Sequence, residues 1–181
     1  MGSPKALLDY RGETFLNRLI RVLGGVSDPV IAVLGYNADE IRKHVRGRVQ
    51  LVCNPDPDRG QLSSLQAGLA NVPKEAEGFL FTPVDSPAVA DTTVAKLAAQ
   101  FRNRKPETAF VIPRYQGKRG HPVFAARSVL REFLDLPMTA QAKDVVHRLV
   151  PQTEYVDVDD PGIMADIDDR RAYQQMIEQS Q

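Results

Sequence analysis

Phe79-Leu80-Phe81-Thr82-Pro83-Val84, followed at once by Asp85-Ser86-Pro87, is the stretch whose reading decides the fold. An apolar run closed by turn formers reads as a strand buried on both faces. Pro83 belongs near its end, where a missing N–H is tolerated. Upstream lie two more such runs, Val30-Ile31-Ala32-Val33-Leu34 and Val49-Gln50-Leu51-Val52-Cys53. The second of these ends at the loop Asn54-Pro55-Asp56-Pro57-Asp58. Helical stripes separate the runs. One is Phe15, Leu16, Leu19, Ile20 and Leu23, stopped by Gly24-Gly25; another is Leu62, Leu65 and Leu69. A further helix is expected from Asn37 as N-cap ahead of Asp39 and Glu40.

Downstream the alternation continues. Val94, Leu97, Ala98 and Phe101 share a helical face, and Phe110-Val111-Ile112 is the next strand. Helices follow around 128–135 and 140–149, then a half-exposed strand at Tyr155-Val156-Asp157-Val158 and a C-terminal helix from about Asp168. Repeated strand–helix alternation predicts a single α/β domain over residues 1–181. Its core is a mostly parallel, twisted, doubly wound sheet in a three-layer Rossmann-like arrangement.

The chain has 181 residues, with 23 basic and 23 acidic side chains and a formal net charge of zero. That balance points to neither a nucleic-acid nor a membrane partner. Cys53 is the lone cysteine, which excludes an internal disulfide and fits a reducing cytoplasm. No apolar stretch approaches the roughly 20 residues of a membrane span, and the N-terminal residues carry no signal-peptide core.

Open α/β sheets bind ligands outside the carboxyl ends of their strands, so polar residues there come first. Asp85 closes the central run; its carboxylate suits Mg²⁺, a hard cation, and equally suits an Asx turn or cap. Asp166-Ile167-Asp168 places two carboxylates on one side of an extended segment. Either could complete a metal site with Asp85, and Asp168 could instead cap the last helix. Most other acids of 157–169 read as solvated turn or cap residues. In Gly60-Gln61-Leu62-Ser63-Ser64-Leu65-Gln66-Ala67-Gly68-Leu69 the leucines take one face. Gln61, Ser63 and Ser64 then lie at a helix start that can meet an anion or ribose, or merely cap itself. Arg114 to Pro122 forms a basic, glycine-containing loop in which His121 is a proton donor, a hydrogen-bond donor or a surface residue. Lys5, after Pro4, is a point charge suited to phosphates.

In order, these segments resemble the MobA-like NTP transferases, nearest to the molybdenum cofactor cytidylyltransferases. Gly2-Ser3-Pro4-Lys5-Ala6-Leu7-Leu8 is similar to the lysine half of the family's N-terminal signature. The 60–69 helix resembles its Gly-Gln-x-Ser-Ser-Leu motif, and Val84-Asp85-Ser86-Pro87 its Asp-x-Pro metal site. Gly120-His121-Pro122 resembles its acceptor segment, and Asp166-Ile167-Asp168 its C-terminal Asp-Ile-Asp. The resemblance implies the fold of the nucleotide-diphospho-sugar transferases and Mg²⁺-dependent transfer of NMP, from CTP by the form of the helix. The implied acceptor is phosphorylated, molybdopterin being favoured, and pyrophosphate leaves. Implied roles are Lys5 on the leaving group, and Gly2, Lys5, Gln61, Ser63 and Ser64 at the nucleotide. Asp85 with Asp166 or Asp168 would hold metal, and Gly120, His121 and Pro122 the acceptor. A molybdoenzyme client is a further implied partner.

Two departures stand out. The family's first strand and its Gly-rich loop have no counterpart before Met1, which falls in register with an internal Met of the family. The natural protein is therefore expected to start earlier; without that strand, two strand edges would lie open in the core. After Asp168, Asp169-Arg170-Arg171-Ala172 replaces the family's Thr-Pro-Glu-Asp. The competing readings are a non-catalytic nucleotide- or cofactor-binding accessory protein and a sugar-phosphate nucleotidyltransferase.

Overall fold

The structure is a computed structural model that describes residues 4–167 and 169–178. Strands β1 (Asp9–Tyr10) and β2 (Glu13–Thr14) form a hairpin leading into α1 (Phe15–Gly24). Next come β3 (Ile31–Leu34), α2 (Ala38–His44), β4 (Gln50–Cys53) and α3 (Gln61–Leu69). They are followed by β5 (Gly78–Phe81), α4 (Asp91–Arg102), β6 (Phe110–Tyr115), β7 (Lys118–Arg119) and β8 (Val123–Ala126). The order ends with α5 (Leu130–Leu134), α6 (Ala142–Arg148), β9 (Thr153–Asp157) and α7 (Arg170–Glu178).

The period-2 alternation of the deciding stretch sorts its side chains between two layers. Phe79 and Phe81 pack with Leu65, Leu69 and Phe133, on the side of α3 and α5. Leu80 packs with Leu19, Val22, Val94 and Leu97, on the side of α1 and α4. The neighbouring strands alternate in step: Phe110 and Ile112 join the first cluster, and Val111 and Phe124 the second. This is the expected three-layer arrangement. Phe133 is fully buried, with its ring edge-on to Phe79, Phe81 and Phe110 at centroid distances of 5.9, 5.7 and 6.1 Å. Such edge contacts add about 0.5–1.5 kcal/mol each beyond the burial itself.

Apart from the β1–β2 hairpin, pairing divides the strands into two groups. β3 and β4 are parallel, with Ile31 opposite Gln50 and Leu34 opposite Cys53. The larger sheet runs β5-β8-β6-β7, with β9 parallel to β6. β8 is antiparallel to both β5 and β6, so β5, β6 and β9 share one direction. Among the described residues β3 pairs with β4 alone and β5 with β8 alone, leaving each an open edge.

Local signals account for most element bounds. Thr14 caps α1, its hydroxyl accepting from the Asn17 amide at 3.2 Å. Asn37 precedes α2 as expected but does not cap it. It sits in the left-handed region (φ 57°), and no cap bond forms; side-chain capping needs an extended N-cap residue. The basic segment expected as a loop is a hairpin: Arg114 pairs with Arg119 and Tyr115 with Lys118 around Gln116-Gly117. Both turn residues have positive φ, which suits the turns that join tightly paired strands.

Candidate active site

Leu34, at the end of β3, and Val84, just beyond β5, meet in one apolar cluster with Ala6. The carboxyl ends of β3 and β5 therefore lie on the same side, and the turn Lys5–Leu7 lies against them. Lys5 Nζ donates to Asp85 Oδ2 at 3.3 Å, with the two side chains 31% and 20% exposed. Residues 80 apart in sequence thus form one half-buried charge pair. The Ile167 amide donates to the Asp85 carbonyl at 3.1 Å, which brings Asp166 next to this site. Asp166 is exposed. Gly2 and Asp168, both expected at the site, lie outside the described residues.

The donor set fits a hard divalent cation. It offers carboxylate oxygens on Asp85 and Asp166, with a lysine alongside to meet phosphate charge. Among the described residues no group of three or more His, Cys, Asp or Glu could enclose a metal by itself. Mg²⁺ commonly takes one or two carboxylates and completes its shell with water and substrate phosphates.

The 60–69 helix begins at the Gly60 N-cap, where no side chain caps the first amides. Gln61 is exposed at that start. The two serines differ in exposure, Ser64 being half-buried and Ser63 turned inward. Ser63 is buried and its hydroxyl donates to the Gly60 and Asp56 carbonyls, at 2.8 and 3.2 Å. Asn54 Nδ2 donates to Ser63 Oγ at 2.8 Å and to Ser64 Oγ at 3.0 Å, while Asn54 Oδ1 accepts from the Asp56 amide at 3.0 Å. Asn54 is buried at the end of β4 and was missed by the sequence reading. Its signal was its position: an amide side chain at a strand's carboxyl end, ahead of two prolines. The cluster fixes the 54–60 loop, so that the helix start is presented by a rigid neighbour.

On the other flank, Arg114 grips Asp157 with two of its guanidinium nitrogens, Nε at 2.7 Å and a terminal nitrogen at 2.9 Å. That bidentate pair ties the hairpin to β9 and corrects the picture of a loop of free cations. Gly120 lies so close to the Ile163 backbone that a Cβ would stand 2.2 Å from its carbonyl oxygen. The His121 amide donates to that same carbonyl at 2.9 Å. His121 is consequently drawn inward rather than left on the surface, and Pro122 behind it is fully buried. Burial lowers the His121 pKa, against the raising effects of the Phe81 carbonyl and of Asp85 and Asp166. Its Nδ1 is buried without a hydrogen-bond partner among the described residues.

The Lys5–Asp85 pair thus stands at the strand ends of a three-layer α/β domain, the region where open sheets receive their ligands. The chain belongs to the MobA-like NTP transferase domain family, whose model matches residues 1–153. Among curated proteins it is similar to a probable molybdenum cofactor guanylyltransferase of Bacillus cytotoxicus, 23% identical over 122 residues. That match covers 65% of this chain and 57% of the relative, so the chain spans little more than half of the relative's length. Among solved structures it is similar to Rv0371c of Mycobacterium tuberculosis, with a TM-score of 0.80 and 28% identity, covering 98% of this chain and 90% of that one. The manganese complex of Rv0371c aligns at a TM-score of 0.75 and 28% identity, covering 98% and 93%. No helix among the described residues is long and apolar enough to cross a membrane.

Proposed function

We propose that the protein transfers a nucleoside monophosphate from an NTP to a phosphorylated small-molecule acceptor in the cytoplasm, with molybdopterin as the acceptor and CTP as the donor. The observation that carries this reading is the half-buried Lys5–Asp85 pair at the strand ends. An acceptor phosphate oxygen bonds to the α-phosphorus as the bond to the bridging oxygen breaks, and that electron pair leaves on pyrophosphate. Lys5 meets the growing negative charge on the leaving group. Asp85, with Asp166, would hold Mg²⁺, which supplies neutralisation of phosphate charge when bound. The start of α3, with Gln61 and the Asn54–Ser63–Ser64 cluster, faces the nucleotide. Gly120, His121 and Pro122 line the acceptor side, and a molybdoenzyme client would receive the product.

CTP is favoured by the Gly60-Gln61-Leu62-Ser63-Ser64 form of the helix start. A second reading, GTP as donor, is favoured by the name of the Bacillus relative. Pyrophosphate release, measured with each NTP and molybdopterin in the presence of Mg²⁺, separates them. Release with CTP alone supports the first reading and with GTP alone the second. Nucleotide binding without release by any NTP overturns both in favour of a non-catalytic accessory role. Release with a sugar phosphate and not with molybdopterin overturns the acceptor.

A further inference from the structure

Arg18 is the third side chain along α1 from Phe15, on the helix face that supplies Leu19 and Val22 to the core. It is only 8% exposed, yet among the described residues it faces no carboxylate. Its Nε donates to the Pro87 carbonyl at 2.7 Å and a terminal nitrogen to the Val89 carbonyl at 3.0 Å. The guanidinium also lies over the Tyr10 ring, 5.1 Å from its centroid. Burying a guanidinium without an anion is costly, and an apolar residue would complete this helix face at less expense. A reason for the arginine lies at the other end of its bonds. Pro87 and Val89 belong to the segment that leaves β5 through Asp85.

The same segment is gripped a second time, by residues 160–167. The Ala90 amide donates to Asp160 Oδ2 at 2.9 Å, while Asp160 Oδ1 accepts from the Gly162 amide at 2.8 Å. A Cβ on Gly162 would stand 2.3 Å from the Ala88 carbonyl oxygen, so the two backbones are in direct contact. The Ile167 amide completes the hold on the Asp85 carbonyl. Residues 85–90 form no helix or strand of their own; beyond the local turn closed by the Ser86 amide on the Pro83 carbonyl, they are held by Arg18 and by residues 160–167.

We infer that Arg18 is a positioning residue for the Asp85 carboxylate: by fixing the carbonyls of Pro87 and Val89 it holds Asp85 toward Lys5 in a metal-ready orientation. The inference rests on the reading of Asp85 as a metal ligand. The test is a Mn²⁺ titration of the full chain, followed by the electron paramagnetic resonance signal of free Mn²⁺, for wild type, Asp85→Asn, Arg18→Met and Arg18→Lys. Thermal unfolding of each variant accompanies it. Asp85→Asn is expected to lose Mn²⁺ binding. Arg18→Met is expected to weaken it about 10-fold or more, the usual scale for a partner that orients a metal ligand. Arg18→Lys, able to reach one carbonyl and not both, should recover part of the loss. A merely structural arginine would lower the unfolding temperature and leave Mn²⁺ affinity unchanged. Folded Arg18→Met with wild-type affinity overturns the inference while leaving the Asp85 reading intact. Should Arg18→Met fail to fold, Arg18→Lys decides: a several-fold weakening supports the inference, and wild-type affinity refutes it. No Mn²⁺ binding by wild type, or full binding by Asp85→Asn, overturns the Asp85 reading and this inference together.

Discussion

The two groups of strands are written in similar apolar runs and end at different depths. In the larger sheet all four residues of β8 and the first four of β6 are buried. In the smaller pair Ala32 and Leu34 of β3 are buried, and no residue of β4 is. The candidate site straddles this divide: Asp85 and His121 belong to the deep half, while Asn54, Ser63 and Ser64 belong to the shallow one. In the shallow half the polar groups satisfy one another. In the deep half Asp85 is matched by the Lys5 charge, while His121 Nδ1 is buried without a hydrogen-bond partner among the described residues. A firm scaffold can retain such an unsatisfied atom, and a loose one would let it find a partner.

The sharpest way to break this contrast is to compare turnover across the divide. With the substrates proposed above, Asp85→Asn is expected to lower pyrophosphate release about 100- to 1,000-fold, the scale of losing a charge-stabilising group. Ser64→Ala, which removes one acceptor for Asn54, should cost less than about 10-fold, since Asn54 keeps Ser63. Equal losses would mean that the shallow half does more than present the nucleotide. Stability gives the next largest effect. Phe133→Ala removes the hub of the aromatic cluster and is expected to destabilise by about 3–5 kcal/mol in chemical denaturation. Leu51→Ala, on half-buried β4, should cost about 1–2 kcal/mol, scaled down with its smaller burial. Comparable values would show the β3–β4 pair to be as integral to the core as β8.

A smaller effect isolates the polar cluster. Asn54→Ala is expected to cost about 1–3 kcal/mol, because the buried Ser63 hydroxyl and the half-buried Ser64 hydroxyl lose their donor. Hydrogen exchange should show the loss confined to β3, β4 and the start of α3, with β6 and β8 amides unchanged. Spread into the larger sheet would dissolve the distinction between the halves.

Much of this was legible beforehand because alternation is a physical record of two buried faces. The apolar run 79–84 and the strand–helix alternation around it predicted a sheet between two helical layers, and Phe79 and Phe81 do face one layer and Leu80 the other. Asp85 was visible because it lies at a strand's carboxyl end, where open sheets bind ligands, although an Asx turn or cap would account for it as well. Lys5 gained meaning only from its resemblance to a motif, since nothing near it in sequence reveals a partner 80 residues away. The rest was hidden for identifiable reasons. Arg114, Lys118 and Arg119 read as a solvated loop because charge says nothing of pairing; the turn pair Gln116-Gly117 was the available signal. Arg18 and Asp160 carry charges that ordinarily mark the surface. Their burial depends on carbonyls and amides contributed by a distant segment. His121 is drawn half inward because Gly120 permits backbone contact with Ile163, a relation across some 40 residues that no local pattern encodes.

The smallest effect tests whether that buried imidazole belongs to the firm half. Burial lowers the His121 pKa in the folded protein below its ordinary value of 6.5. Below that value the unfolded chain binds a proton that the folded chain resists. Stability contributed by the neutral ring is therefore complete above about pH 6.5 and is lost as pH falls toward the folded value. The slope cannot exceed about 1.4 kcal/mol per pH unit, the worth of one proton. Glu154 does not share this window. The Thr108 hydroxyl, followed by Gln100 and the Lys105 amide, lowers its pKa from 4.5, so its contribution is lost only in more acidic solution. Denaturation midpoints between pH 7.5 and 5.5 should thus fall for wild type and stay nearly level for His121→Gln. If His121→Gln keeps the wild-type slope, the proton binds elsewhere, and the deep half does not hold its histidine against solvent.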